Sequence, residues 1–226
     1  MAHIIIKAVE ELWCIAILWM NIKNCWIRFM CQLFEAIKVF QREFFNLTYH
    51  SRRFNNARKI FFNLDYLDLK AHISIPPDLD NGLYKCRIIY AEDIEKVEFI
   101  PYQRRKINTL KIVENNDVDY EYKYLNKECF EKMLLKKDNA DDILVLKKNF
   151  LTDTSFSNIV FFDGNKWLTP AHPLLKGTKR QFLLDRGIVF EDEIRISDLE
   201  LFKKASLINA MLDIGEIELE VENIIR

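Results

Sequence analysis

A chain of 226 residues, half of them hydrophobic, is long enough for one large or two small domains and for a sizeable core. Its 33 basic and 34 acidic residues leave a formal charge of −1, which gives no reason to expect nucleic acid or an anionic membrane as partner. Five cysteines without a CxxC pair read as reduced thiols in an intracellular, cytoplasmic protein, and four scattered histidines show no metal-ligand spacing.

The first stretch differs from the rest. Trp13, Trp19 and Trp26 crowd there with Cys14, Cys25 and Cys31, around an apolar run, 12–20, too short to span a bilayer. Residues 1–29 therefore read as an extension of uncertain status, with Met30 as the expected native start. An amphipathic helix docking on the body and, third, a membrane anchor are the other readings.

Beyond it, the alternation over 33–39 predicts a strand, with 44–47 as its hairpin partner. Phe54, Ala57 and Phe61 predict a helix over 49–62. Pro76-Pro77 and Asn81-Gly82 break structure. Strands are expected over 83–90, 97–101 and 110–113, with the polar, basic stretch 102–106 as a boundary between two lobes. A helix is expected over 126–137, and strands over 142–146, 159–162 and 167–168. A helix over 180–185 is closed by Gly187. A strand over 193–196, a helix over 198–204 and a last strand over 206–212 complete the reading. The mixture predicts an α+β protein of two lobes with a cleft between them.

The chemistry lies in the order of a few words along the chain. Tyr122-Lys123-Tyr124-Leu125-Asn126 comes first, with an amine among aromatic rings that partly desolvate it. Thr152-Asp153-Thr154-Ser155-Phe156-Ser157-Asn158 follows, with a carboxylate among small polar groups. Gly177-Thr178-Lys179-Arg180 then opens a helix whose first amides are free to bind an anion. Taken alone, Lys123 is an ordinary strand-end lysine and Asp153 a turn residue capping local amides. Together they supply what pyridoxal phosphate requires: a lysine to hold it and move a proton, a carboxylate for its ring nitrogen, and donors for its phosphate.

These words resemble the class IV aminotransferase family, the fold type IV enzymes, over roughly 30–226. Lys123-Tyr124-Leu125-Asn126 is similar to the Lys-x-Leu-Asn of its aminodeoxychorismate lyase branch, and Ser157-Asn158-Ile159 to its Ser-Asn-Ile. The resemblance implies a two-lobed α+β fold with pyridoxal 5'-phosphate in the interdomain cleft. It implies a small α/β domain over 30–104, a larger cofactor-binding domain over 107–226, and a homodimer acting on a small amino substrate.

By the same resemblance Lys123 is the catalytic lysine. Asp153 stands where the family usually has glutamate, and Ser157 and Asn158 shape the turn beside it. The amides of Thr178 and Lys179 would bind phosphate, although the hydroxyl stands one position from its place in the family's Gly-Ile-(Thr/Met)-Arg. Tyr49-His50-Ser51-Arg52-Arg53-Phe54 resembles a His-x-x-Arg helix and puts Arg53 on the phosphate, with Asn209-Ala210 closing the cup. Glu35, Arg87 and Arg105 are substrate-side candidates. The reaction stays open: a 4-amino-4-deoxychorismate lyase giving 4-aminobenzoate for folate synthesis and pyruvate, a branched-chain or D-amino acid transaminase, or third, a scaffold without catalysis.

Overall fold

The computed structural model describes residues 32–226, so the expectations for 1–29 and for the Met30 start fall outside the described residues. The chain opens with β1 (Leu33–Phe40), β2 (Glu43–Phe44), α1 (Leu47–Phe62), a short α2 (Leu69–His72), β3 (Tyr84–Tyr90) and β4 (Ile94–Pro101). The strands form an antiparallel sheet in the order β2-β1-β3-β4. Alternation decides its two faces. Leu33, Ile37 and Val39 of β1 and Cys86, Ile88 and Tyr90 of β3 point one way, and they bury against Phe54, Ala57 and Phe62 of α1.

The remaining chain runs β5 (Leu110–Glu114), α3 (Glu128–Leu134), β6 (Asp142–Lys147), β7 (Phe150–Thr154), β8 (Asn158–Phe162), β9 (Trp167–Pro170), α4 (Thr178–Asp185), β10 (Val189–Asp192), a 3-10 turn (Ile196–Leu201), β11 (Lys204–Ile208), β12 (Glu218–Glu220), a second 3-10 turn (Val221–Asn223) and β13 (Ile224–Ile225). Two sheets result, ordered β13-β5-β6-β7 and β10-β9-β8-β11-β12. Their facing apolar residues form one core, from Leu110, Leu144 and Leu151 across to Ile159, Phe161 and Leu207. The chain passes from one sheet to the other at 155–157. Thr154 N–H donates to Ser157 O at 2.9 Å, and Thr154 Oγ1 accepts from Ser157 N at 3.1 Å. No described helix is long and apolar enough to cross a membrane.

Several expectations need correction. The segment read as a turn around Asp153 is strand β7, held by the non-local pairing with β6. The strand expected over 193–196 is instead β10 at Val189–Asp192, paired in parallel with β9, and its exposed charges hid the pattern. The helix expected over 198–204 is the 3-10 turn Ile196–Leu201, where Asp198 accepts from Arg195 N at 2.8 Å before β11 begins at Lys204. The last strand stops at Ile208, and Asn209 pairs back with Leu212 in a tight turn. α2, β12 and β13 carried no sequence signal, because two to four residues give no measurable period.

Candidate active site

Lys123 lies on the segment joining β5 to α3, and β1 holds that segment in place. Phe34 N–H donates to Lys123 O at 3.0 Å, Leu125 N–H donates to Gln32 O at 2.8 Å, and Tyr124 bridges to Leu33. The lysine thus runs beside the first residues of β1, with its ammonium 4.6 Å from the centre of the Phe34 ring. Tyr122 and Tyr124 anchor the segment by packing on Phe61 of α1. Burial, then the positive charges of Arg53 and Lys127, bring the Lys123 amine down to about 7. Among the described residues no carboxylate forms an ion pair with it.

Asp153 enters the same pocket from β7. Its carboxylate is buried, with Oδ1 accepting from Asn158 Nδ2 at 2.8 Å and Oδ2 from Leu175 N at 2.9 Å. Burial outweighs these bonds and pushes the acid up to about 6. No described Lys, Arg or His forms an ion pair with it. A buried carboxylate served only by neutral donors is completed by a cation.

The third part is the start of α4. Gly177 is its N-cap, without a side-chain cap, so the first amides of the helix have no intrahelical partner. A Cβ on Gly177 would lie 2.0 Å from Asn158 Oδ1, so only glycine lets the helix start approach this closely. Thr178 lines the pocket, while Lys179 turns its ammonium onto Asp213. Arg180 is a buried structural residue: its guanidinium donates to Pro170 O at 2.8 Å and to Glu191 at 2.6 Å. Ser157, Asn158, Asn209 and Ala210 also line the pocket, and Asn209 is held by its bond to Met211 N at 2.8 Å.

Glu35 is a correction. It was expected against substrate or solvent, but its side chain shares the core face of β1 with Leu33, Ile37 and Val39 and is fully buried. What makes that tolerable is α1, whose first turns place His50 and Arg53 over it. His50 Nδ1 lies 2.6 Å from Glu35 Oε2, and Arg53 Nε and Nη2 donate to the two oxygens at 2.8 and 2.5 Å. Burial alone would raise the Glu35 acid, but Arg53 and His50 outweigh it and hold it down at about 2. Burial keeps His50 below the usual histidine range, hence neutral, so its Nδ1–H donates to Glu35 and its Nε2 faces Thr178 Oγ1 at 3.2 Å. His50, which carried no role in the sequence reading beyond its place in the motif, therefore joins the helix start to the Glu35–Arg53 pair.

Since Glu35 is more acidic folded than its ordinary value of 4.5, it contributes stability that is full above that value and lost as pH falls towards about 2. Glu35→Gln is expected to cost about 3 kcal/mol at neutral pH and to flatten the acid limb of stability in that window, as read by urea unfolding across pH.

Arg53 still lines the pocket with its remaining surface, and Arg105 lines it with its guanidinium 4.8 Å from the Phe156 ring. Arg87 does not line it; it pairs with Glu98 at 3.8 Å and stands over Phe34. Two further charged lining residues were missed, Lys85 and Lys127. The alternation of β3 places Lys85 opposite the buried Cys86, which was the available signal.

The pocket thus gathers a lysine whose amine is lowered to about 7, a buried carboxylate lacking a cation, and a glycine-started helix end. That donor set fits pyridoxal phosphate: an amine for the aldehyde, a partner for a protonated ring nitrogen, and amides for a dianion.

The comparisons agree with the geometry. The sequence profile of the family described as amino-transferase class IV matches residues 32–218. A Haemophilus influenzae protein of uncharacterised function is 30% identical over 185 residues, covering 80% of this chain and 98% of its own. A Haemophilus somnus 129pt crystal structure, provisionally named a 4-amino-4-deoxychorismate lyase, has a TM-score of 0.73 and 31% identity, covering 80% of this chain and 96% of its own. A Brucella abortus aminotransferase solved with pyridoxal phosphate shares the fold, with a TM-score of 0.68 at 16% identity over 83% of this chain and 80% of that one. On the profile match and the geometry together, this chain belongs to the class IV aminotransferase family and is a fold type IV enzyme dependent on pyridoxal phosphate.

Proposed function

We propose that the chain is a 4-amino-4-deoxychorismate lyase, releasing 4-aminobenzoate and pyruvate. The observation that carries the chemistry is the convergence of Lys123 and Asp153 on one pocket beside Gly177. The choice of lyase over transaminase is supported by the 31% likeness to the Haemophilus somnus protein and by the Lys123-Tyr124-Leu125-Asn126 wording.

When bound, pyridoxal phosphate supplies an aldehyde that joins the substrate amine and a ring that takes up the electron pair released at the amine-bearing carbon. Lys123 Nζ, lowered to about 7 by burial and its cationic neighbours, is the base that removes the proton from that carbon. Asp153, held in position by Asn158 and Leu175, would keep the ring nitrogen protonated. The α4 amides, with Arg53, would hold the phosphate, and His50 fixes the Thr178 side chain at that helix start. The substrate ring becomes aromatic as its bond to the ether oxygen breaks, and the proton taken by Lys123 ends on the departing pyruvate. No water or oxidant is consumed.

A transaminase would use the same first step and leave an aminated cofactor. The expected result is 4-aminobenzoate formed from aminodeoxychorismate, with little aminated cofactor on incubation with amino acids. Clear amination without any aminobenzoate would overturn the lyase.

A further inference from the structure

The pocket has a second chemical character beyond the cofactor's needs. Its floor is the face of the first sheet opposite the α1 core, where Phe34 and Ala36 of β1 lie beside Lys85 of β3. Lys127, four residues after Lys123, reaches the same floor with its ammonium 5.6 Å from the Phe34 ring centre. Arg105 arrives from the 102–109 segment onto Phe156. Three cations therefore meet in one cavity, supported by two aromatic faces.

Among the described residues, no carboxylate forms an ion pair with Lys85, Arg105 or Lys127, although Asp142 lies within the field of Arg105. Glu98, the acid that acts on Lys85, is itself engaged by Lys96 at 2.8 Å and Arg87 at 3.8 Å. Burial and then mutual repulsion lower both lysines, Lys85 through Arg87 and Arg105, and Lys127 through Arg105, Lys85 and Arg87. Like charges gathered without a paired carboxylate repel one another, and an anion relieves the repulsion in proportion to its charge. The cofactor's phosphate does not account for these three, since the α4 start and Arg53 serve it in the reading above. A single substrate carboxylate is satisfied by one guanidinium fork.

We propose that Arg105, Lys85 and Lys127 together seat two carboxylates, Arg105 taking one and the lysines the other, making Lys85 and Lys127 specificity residues that select a dicarboxylate amine over amino acids with uncharged side chains. This rests on the reading that substrate and cofactor share the pocket, and it deepens that reading by naming the substrate's charge and the groups that read it. Phe34 and Phe156 supply flat apolar surfaces between the cations, which suits a ring carrying the two acids.

The test uses holoenzyme and two unreactive probes, benzene-1,3-dicarboxylate and benzoate, titrated by calorimetry at low and high salt. The dicarboxylate is expected to bind about tenfold more tightly or better, with the margin shrinking as salt rises. The double variant Lys85→Gln/Lys127→Gln is expected to abolish the margin. Lys127→Arg is expected to retain it, and Lys148→Gln, a surface control, to leave it intact. Cofactor absorbance verifies that each variant is folded and loaded. Equal affinity for the two probes, or a margin that survives the double variant, overturns the seat. The two readings fail separately: a missing 4-aminobenzoate product sinks the lyase and leaves a measured dicarboxylate preference standing, whereas a lost preference sinks the seat and leaves the lyase.

Discussion

Lys123→Ala is expected to abolish turnover, with a loss on the order of 10⁴-fold or more, and to leave the cofactor bound only non-covalently. Borohydride treatment of the parent protein should yield a labelled peptide spanning Tyr122 to Asn126, and the variant should yield none. The fold should survive, because the bonds that hold this segment to β1 run through the backbone O of Lys123 and the backbone N of Leu125. The variant also removes a desolvated amine, so its unfolding midpoint should match or exceed that of the cofactor-free parent. The same lysine gives a pH signature. Its amine is lowered to about 7 by burial, Arg53 and Lys127, and the neutral form attacks the aldehyde. The rate at which cofactor-free protein takes up pyridoxal phosphate should therefore rise with pH through about 7 and level off above it. A variant retaining more than about one part in a hundred of the activity would remove Lys123 from the mechanism.

Asp153→Asn should lower kcat by about 10²- to 10³-fold while cofactor binding persists, since a neutral amide cannot hold a proton on the ring nitrogen as a carboxylate does. Asp153→Ala should in addition lose about 1–3 kcal/mol of stability, because Leu175 N–H and the Asn158 amide would lose their acceptor. The sign of the pH effect is opposite to that of Glu35. Burial raises the Asp153 acid from 3.8 to about 6, so in cofactor-free protein this group's contribution is full below 3.8 and lost as pH rises through about 6. Asp153→Asn should flatten that slope. Unchanged kcat in Asp153→Asn would place the ring-nitrogen partner elsewhere.

The order Lys123, Asp153, Gly177 was legible because the three words together resemble those of the family; taken alone, only the glycine before a helix carried its own chemistry. The first strand and helix were legible because their periods are carried by residues close in sequence. The tertiary structure decided the rest. Nothing local told that Glu35 sits on the core face, because its partners His50 and Arg53 come from α1 and alternation alone reads a charged residue as solvent-facing. Nor could spacing reveal that Asp153 lies in a strand, since β7 is stabilised by its pairing with β6. Lys85, Arg105 and Lys127 come from a strand, a linker and a helix start, and they acquire meaning as a group only because they line one pocket. Local propensity writes elements and end-caps into sequence, whereas the field inside a pocket is a sum over charges that only folding brings within a few ångströms of one another.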